Sequence, residues 1–391
     1  MNKFRYIIGI IGLYTIVSFG GCVEKFEANI ANKATEGLVI EGDIISDSTV
    51  VFRLSKTLPL TETDENKGLF YDYYVSDADL SVKGNDGSSW QGQLLEKGEY
   101  QVQLGTLNPD VEYFLEIQYN GDTYLSEPQK PLACSEIEKL SFKQSDLSNS
   151  VTIHLDSKEV DLSETKYYLW YFEEDWEVRT PYATTGLYDP GLKNIVFYPT
   201  PPVAQGWCYS GLDKILLGTT ESTRENRIVN QIIQTIGQSD YRLSVLYSIR
   251  VQQRNLTRKE YEYYQVRAKL NSEMGGLFTP QPSELPTNIT CSNPDSKVIG
   301  YVGCNMGVAH SQLYISSRDV SYVRDNQCDE GKDPDGSFYE KYQAGYQVGS
   351  VEMVGAEMMV IWVKKHCADV RSMNADPLGR PEWWPNPYIY K

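Results

Sequence analysis

From residue 37 onward the chain consists of short runs in which apolar and polar residues alternate, and this pattern most constrains its fold. Such alternation places one face of each strand in a core and the other face in water. Turn-forming segments separate the runs, for example residues 85–87 (NDG) and 120–122 (NGD). The runs cover residues 38–41, 50–54, 80–83, 100–104 and 113–117. Strands at this spacing predict a β-sandwich over residues 36–132.

A second local pattern supports the sandwich. Leu107, Pro109 and Tyr113 have the spacing of a tyrosine corner, in which the tyrosine hydroxyl bonds back to the chain that precedes it. The pattern is short, so a chance match in an ordinary loop is the alternative. Together with the alternating runs, it predicts an N-terminal sandwich of the immunoglobulin, fibronectin or prealbumin type.

Residues 133–391 are predicted to form a larger, β-rich domain with one clear α-helix. The many Tyr, Val, Ile and Thr residues favour strands, so we expect a mainly β protein. Residues 166–172 are apolar at nearly every position, which is typical of a strand covered on both faces. Residues 228–236 fit a helical face and a strand almost equally well. The runs at 298–302 and 358–363 indicate further strands.

The predicted helix begins with a capping box. Thr257 can accept a hydrogen bond from the amide three residues later, and Glu260 can reach back to the cap amide. Tyr261 and Tyr264 follow on the face that would be buried, and Gly275 ends the pattern.

Residues 1–21 have the features of a lipoprotein signal peptide. Lys3 and Arg5 precede an apolar stretch over residues 6–18, which is shorter than the roughly 20 residues that a membrane-spanning helix needs. Two glycines then lead directly to Cys22. We therefore expect cleavage before Cys22, lipid attachment to Cys22 and a tether over residues 22–35. The alternative is an ordinary signal peptide or an uncleaved anchor.

The charge balance excludes one class of partner. After removal of residues 1–21, 34 Lys and Arg residues face 53 Asp and Glu residues, a net charge of about −19. No stripe of basic residues offsets this charge locally. Nucleic acid is therefore not an expected partner, because its phosphates would be repelled.

Little in the sequence indicates catalysis. The chain has three histidines and neither an H-E-x-x-H nor a G-x-S-x-G motif. Glu173, Glu174 and Asp175 could supply paired carboxylates, but consecutive residues of a strand point to opposite faces. The acidic segment 329–336 fails the spacing of a calcium-binding loop. We predict no enzyme activity, no metal site and no cofactor.

Six cysteines besides Cys22 are expected in a compartment where disulfides form. Cys328 and Cys367 flank the last strand-rich segment, so this pair is the predicted disulfide. Buried thiols are the alternative.

Aromatic residues concentrate near the C-terminus. Trp383, Trp384 and Tyr388 alternate with prolines and could stack on sugar rings or peptide prolines, which would make them a ligand platform. A tail packed on the second domain is the alternative and the outcome we expect. Residues 207–209 (WCY) allow the same two interpretations.

Four segments resemble a family of Bacteroidetes surface lipoproteins with domain of unknown function 4249. These are residues 167–177, residues 246–252 (LYSIRVQ), the helix that begins after Thr257, and residues 276–289 (GLFTPQPSELPTNI). The resemblance extends over essentially the whole mature chain. At the C-terminus the chain departs from the family pattern, because the segment after Cys367 lacks a second cysteine.

The resemblance implies a role beside SusC/SusD-like TonB-dependent importers, in which a barrel and a lid lipoprotein take up oligopeptides or oligosaccharides. We accordingly expect a lipid-anchored protein of the outer membrane that faces the cell exterior and captures ligand as an accessory subunit. A docking subunit that does not touch cargo is one alternative, and a surface hydrolase is another.

Overall fold

A computed structural model describes residues 37–57, 73–146, 149–159, 166–199, 202–211, 215–273, 285–323, 328 and 336–385. Strands dominate these residues, as the alternating runs predict. In the same residues, no helix has the length and apolar character needed to cross a membrane. The described residues form one compact unit.

The elements of the described residues are, in chain order, as follows. The first strands are β1 (Leu38–Glu41), β2 (Ile44–Ile45), β3 (Thr49–Lys56), β4 (Asp79–Gly84), β5 (Ser89–Gln91), β6 (Gln93–Glu96), β7 (Glu99–Gln103), β8 (Tyr113–Tyr119) and β9 (Asp122–Ser126). Then follow β10 (Ile137–Gln144), β11 (Val151–Ser157), β12 (Tyr167–Arg179), β13 (Gly186–Asp189), β14 (Asn194–Phe197), β15 (Gln205–Ser210), β16 (Leu216–Thr219), β17 (Gln231–Ile236), β18 (Leu246–Leu256) and helix α1 (Arg258–Glu273). The last elements are β19 (Ile289–Cys291), β20 (Val298–Gly300), β21 (Cys304–Asn305), β22 (Ala309–Ser316), helix α2 (Phe338–Gln343), β23 (Tyr346–Val354) and β24 (Glu357–Lys364).

The N-terminal region is a sandwich of two five-stranded sheets. Their strand orders are β20-β1-β3-β7-β6 and β19-β9-β8-β4-β5. On β3, Val50, Phe52 and Leu54 point into the core while the residues between them face outward. This alternation is the one seen in the sequence, so the predicted sandwich is confirmed.

Three strands of the sandwich come from much later in the chain. Strand β19 pairs antiparallel with β9, and β20 pairs parallel with β1. The short strand β21 pairs parallel with β2. Residues 289–305 therefore complete the N-terminal sandwich, although they lie beyond the boundary that the sequence places near residue 133.

The tyrosine corner is present. The backbone amide of Asn108 donates a hydrogen bond to the Tyr113 hydroxyl at 2.9 Å, and Tyr113 itself is buried at the start of β8. The bond fixes the loop before β8 against the strand that follows it.

Replacing Tyr113 by Phe should lower the free energy of unfolding by about 1 kcal/mol, because the Asn108 amide loses its partner. Urea denaturation of both proteins measures this change. Tyr74→Phe is the matched control, since Tyr74 is largely exposed. An unchanged midpoint for Tyr113→Phe would show that the corner contributes nothing.

Two further sheets enclose a second core. Strands β15-β12-β18-β22 form one sheet, to which β16 adds at β12, and β10-β11-β17 form the other. Trp170, Tyr247 and Ile249 are fully buried between them. Residues 231–236, whose pattern left helix and strand open, form the edge strand β17. We call the opposite side of the β15-β12-β18-β22 sheet its outer face.

Helix α1 covers one half of the outer face. The Glu260 amide donates to the Thr257 hydroxyl at 3.2 Å, as the capping box predicts. Tyr261 of the helix lies against Tyr167 of β12, with ring centroids 4.8 Å apart. The structure also contains the short helix α2, which the sequence patterns do not predict.

A buried ion cluster joins α1, β18 and the sandwich. Arg254 of β18 pairs with Asp43, which follows β1, and with Glu260 of α1 at 2.8 Å. Burial raises the pKa of Glu260 to about 7, although Arg254 opposes this shift; Asp43 adds to it. The Arg254 guanidinium thus forms ion pairs with both carboxylates.

Because Glu260 binds a proton more readily in the folded than in the unfolded chain, stability should fall as pH rises from about 4.5 to about 7. Glu260→Gln removes this titration, so its stability relative to the wild type should improve across that range, by roughly 1–3 kcal/mol. Denaturant midpoints at pH 5 and pH 7.5 test this. Glu262→Gln on the same helix is the control, since Glu262 is exposed. If the denaturant midpoints of all three proteins changed equally between pH 5 and pH 7.5, the expectation would be contradicted.

Candidate functional site

The half of the outer face that α1 leaves uncovered carries polar and aromatic side chains. Strand register brings them together: Glu173 of β12 lies opposite Arg250 of β18, and Asp175 lies opposite Tyr209 of β15. Directly opposed residues of antiparallel strands share a face of the sheet. Trp383 of the C-terminal segment lies over Arg250. We call these five residues the aromatic–carboxylate cluster.

Arg250 is the centre of the cluster. One of its terminal nitrogens lies 2.7 Å from Glu173 Oε2 and 3.1 Å from Asp175 Oδ2. Its guanidinium carbon is 4.4 Å from the centroid of the Trp383 ring, which is a cation–π contact. The guanidinium therefore contacts two carboxylates and an indole.

Burial is the largest cause of the pKa shifts of two groups beside Arg250, Asp175 and Tyr209. Burial raises the pKa of Asp175; Arg250 opposes this shift and Glu173 adds to it. Burial also raises the pKa of Tyr209, and the negative charges of Glu173 and Asp175 raise it further. Tyr209 nevertheless remains 59% exposed, so its ring is open to solvent.

The strand separates the three consecutive acids, as its alternation predicts. Glu174 points to the core, where Arg242 lies 2.8 Å away and the Tyr247 hydroxyl donates to it at 2.6 Å. Only Glu173 and Asp175 reach the outer face. Glu174 is thus a satisfied structural carboxylate, and the pair at the cluster belongs to alternate positions of β12.

The two C-terminal tryptophans differ in their surroundings. Trp384 is 4% exposed, its indole nitrogen donates to Glu177 at 3.4 Å, and its ring meets Tyr314 edge-on at 6.4 Å. Trp383 is 37% exposed. The sequence treats both as one group, a platform or a packed tail, whereas in the structure Trp384 is packed and Trp383 is partly exposed. Tyr388 lies outside the described residues.

A cavity of about 850 Å³ lies at the C-terminal end of β12. Glu177, Leu246 and Pro385 line it, and Glu177 stands two residues after Asp175 on the same face of β12. Arg179 pairs with Glu177 at 2.6 Å at the rim. Ser244 also lines the cavity, and its hydroxyl is buried without a hydrogen-bond partner among the residues described here. None of the five cluster residues lines this cavity, and Glu177 itself is buried.

The structure joins Cys328 to Cys367 in a disulfide, with Cα atoms 5.7 Å apart. His366 lies close to both sulfurs, but a disulfide offers no thiolate to a metal ion. Within the described part of the chain, four cysteines are free thiols: Cys134, Cys208, Cys291 and Cys304. Cys22 and residues 329–335 of the acidic segment lie outside the described residues.

Arg250 is the member of the cluster that the sequence did not reveal. It lies in β18, where its neighbours Ile249 and Val251 are buried. A charged residue in the middle of a buried strand needs a partner, and this is the signal that could have drawn attention to it. Its partner could not be named without the register of β12 and β18.

The fold and the cluster define a β-sandwich protein with a second β-rich part that presents an exposed polar and aromatic sheet face. Residues 23–306 match the family described as Domain of unknown function (DUF4249), and the chain belongs to this family. The match begins directly after Cys22 and ends beside β21, so Trp383 and the disulfide lie beyond it.

Among solved structures, the chain is similar to a DUF4785 family protein from Legionella pneumophila, with 11% identity and a TM-score of 0.16. That similarity covers 55% of this chain and 52% of the other, so the chain spans about half the length of that protein. No curated protein matches the chain.

The two tryptophans should respond differently to truncation. Trp384→Ala should lower the free energy of unfolding by roughly 3 kcal/mol, because it removes a buried ring. Trp383→Ala should cost only about 0.5–1 kcal/mol, the value of a cation–π contact at a partly exposed site. Thermal and urea melts of both variants measure this difference. Equal losses would show that Trp383 is also a core residue.

Proposed function

We propose that this protein is a lipid-anchored outer-membrane protein, facing the cell exterior, that captures ligand as an accessory subunit of a SusC/SusD-like TonB-dependent importer. The observation that carries the ligand-binding part is the aromatic–carboxylate cluster. Tyr209 and Trp383 offer ring faces for stacking, and Glu173 and Arg250 offer hydrogen-bonding groups beside them.

The cluster suits binding better than catalysis. A general acid or base must exchange a proton with its substrate. Glu173 and Asp175 are instead both paired with Arg250, and Glu177 on the same face is paired with Arg179. This pairing supports a role for the surface in holding a ligand.

The N-terminal sequence supports the proposed lipid anchor. Residues 1–21 have the composition of a signal peptide and lead directly to Cys22, and the family match begins at residue 23. Three acyl chains on Cys22 would anchor the protein stably, because two hydrophobic signals already suffice. The importer partner comes from the resemblance of the chain to surface lipoproteins.

A second candidate role is docking to the importer without contact to cargo. The hairpin β23–β24 favours it, because the residues near its tip are exposed and apolar: Met353, Val354, Met358 and Met359. Methionine-rich surfaces are common where proteins bind partners. Purification from detergent separates the two roles. A ligand-capturing subunit should copurify with the barrel and also bind cargo. A docking subunit should copurify with the barrel without binding cargo.

Cys22→Ala should abolish metabolic labelling with a fatty acid and leave an uncleaved precursor, since the lipid is attached to the Cys22 thiol before cleavage. Cys291→Ala is the control and should be labelled like the wild type. In-gel fluorescence of an alkyne fatty acid measures the label. A labelled Cys22→Ala protein would refute lipid attachment at this residue.

Protease shaving of intact cells tests the orientation separately. A protein that faces the exterior should disappear together with other surface lipoproteins. Survival of the chain while those proteins are degraded would place it on the inner side of the membrane.

A further inference from the structure

The aromatic–carboxylate cluster has a nearly balanced charge, which narrows the ligands it can hold. Arg250 compensates one of the two carboxylates, Glu173 and Asp175, with which it pairs. The carboxylate charge that remains uncompensated would repel a simple anion. A hydroxyl group both donates and accepts hydrogen bonds, so it can bridge Arg250 and Glu173 without adding charge.

Two donors on this face also lack partners. Arg250 Nε and Trp207 Nε1 are buried and have no hydrogen-bond partner in the described part of the chain. Trp207 lies opposite Glu177 on the neighbouring strand and therefore shares the outer face with the cluster. Buried donors without partners are costly, and a hydrogen bond to either one would remove that cost.

The exposed rings complete the chemistry. Tyr209, opposite Asp175, and Trp383, which lies over Arg250, are both partly exposed to solvent. A pyranose ring has an apolar face of C–H groups and an edge of hydroxyls, so it can stack on an aromatic ring while its hydroxyls reach neighbouring polar groups.

We propose that the aromatic–carboxylate cluster is a saccharide-binding site, with Tyr209 and Trp383 as stacking surfaces and Glu173 and Arg250 as hydroxyl-binding groups. This inference deepens the proposed ligand capture by naming its substrate class.

The test is calorimetric titration of the purified full-length lipoprotein. The detergent must carry no sugar head group, because a maltoside would compete for the site. The probes are malto-, cello-, xylo- and mannohexaose, and a tryptic digest of casein serves as the peptide arm. At least one hexaose should bind, and the digest should not.

Trp383→Ala and Tyr209→Ala should each weaken binding of that hexaose about 3- to 10-fold, the loss expected for one stacking contact. Tyr339→Ala is the matched control, because Tyr339 is an exposed tyrosine on α2. It should leave the affinity unchanged. Melting temperatures of all variants show whether a weaker affinity reflects unfolding, and Tyr209 provides a second test should Trp383→Ala be unstable.

Three results would overturn the inference: no hexaose binds, a hexaose binds equally well to both cluster variants, or only the peptides bind. Copurification with the barrel is a separate measurement. Saccharide binding without the barrel would support the site and refute the importer role. Copurification with the barrel but no saccharide binding would support the importer role and refute the saccharide-binding site.

Discussion

The buried guanidinium of Arg254 is the interaction on which the arrangement of the protein depends. It meets Asp43 from the sandwich and Glu260 from α1, and Asp43 also accepts a hydrogen bond from the Gly303 amide. Burial opposes the charge of Arg254, but the two carboxylates outweigh it and hold its pKa well above the usual value. Loss of one partner would leave an uncompensated buried charge, which is among the most costly changes a core can suffer.

That ion cluster also determines where the candidate site can lie. It fixes α1 against β12 and β18, so the helix covers the rows near Tyr167 and Leu169. At the other end, Trp384 packs on Tyr314 and bonds to Glu177. The cluster around Arg250 occupies the strip between these two covers. Its exposure therefore follows from the lengths of β12 and β18, which extend beyond the helix that packs on them.

Local patterns predicted the parts of the fold that depend on neighbouring residues. Alternation placed the sandwich strands, the spacing of Leu107 and Tyr113 placed the corner, and Thr257 with Glu260 placed the start of α1. Each of these features forms within a few residues of the chain, so the sequence carries its signal directly.

The site depends on contacts that no short window contains. Glu173 meets Arg250 only because β12 and β18 pair in one register, and a shift by one residue would turn Arg250 into the core. Trp383 reaches the same place from the far end of the chain. Aromatic residues could be proposed from the sequence as members of a binding site, but the residues that they contact in the fold could not.

The late strands of the sandwich have a consequence for how the protein is made. Asp43 and Gly303, which bond to each other, are 260 positions apart in the chain. Until residues 289–305 arrive, β1 and β9 are open edges that could pair with other chains. Such distant pairing slows folding, so the incomplete chain is exposed to aggregation for longer than a self-contained domain would be. A chaperone that shields strand edges would therefore benefit this protein more than one whose sandwich closes on consecutive strands.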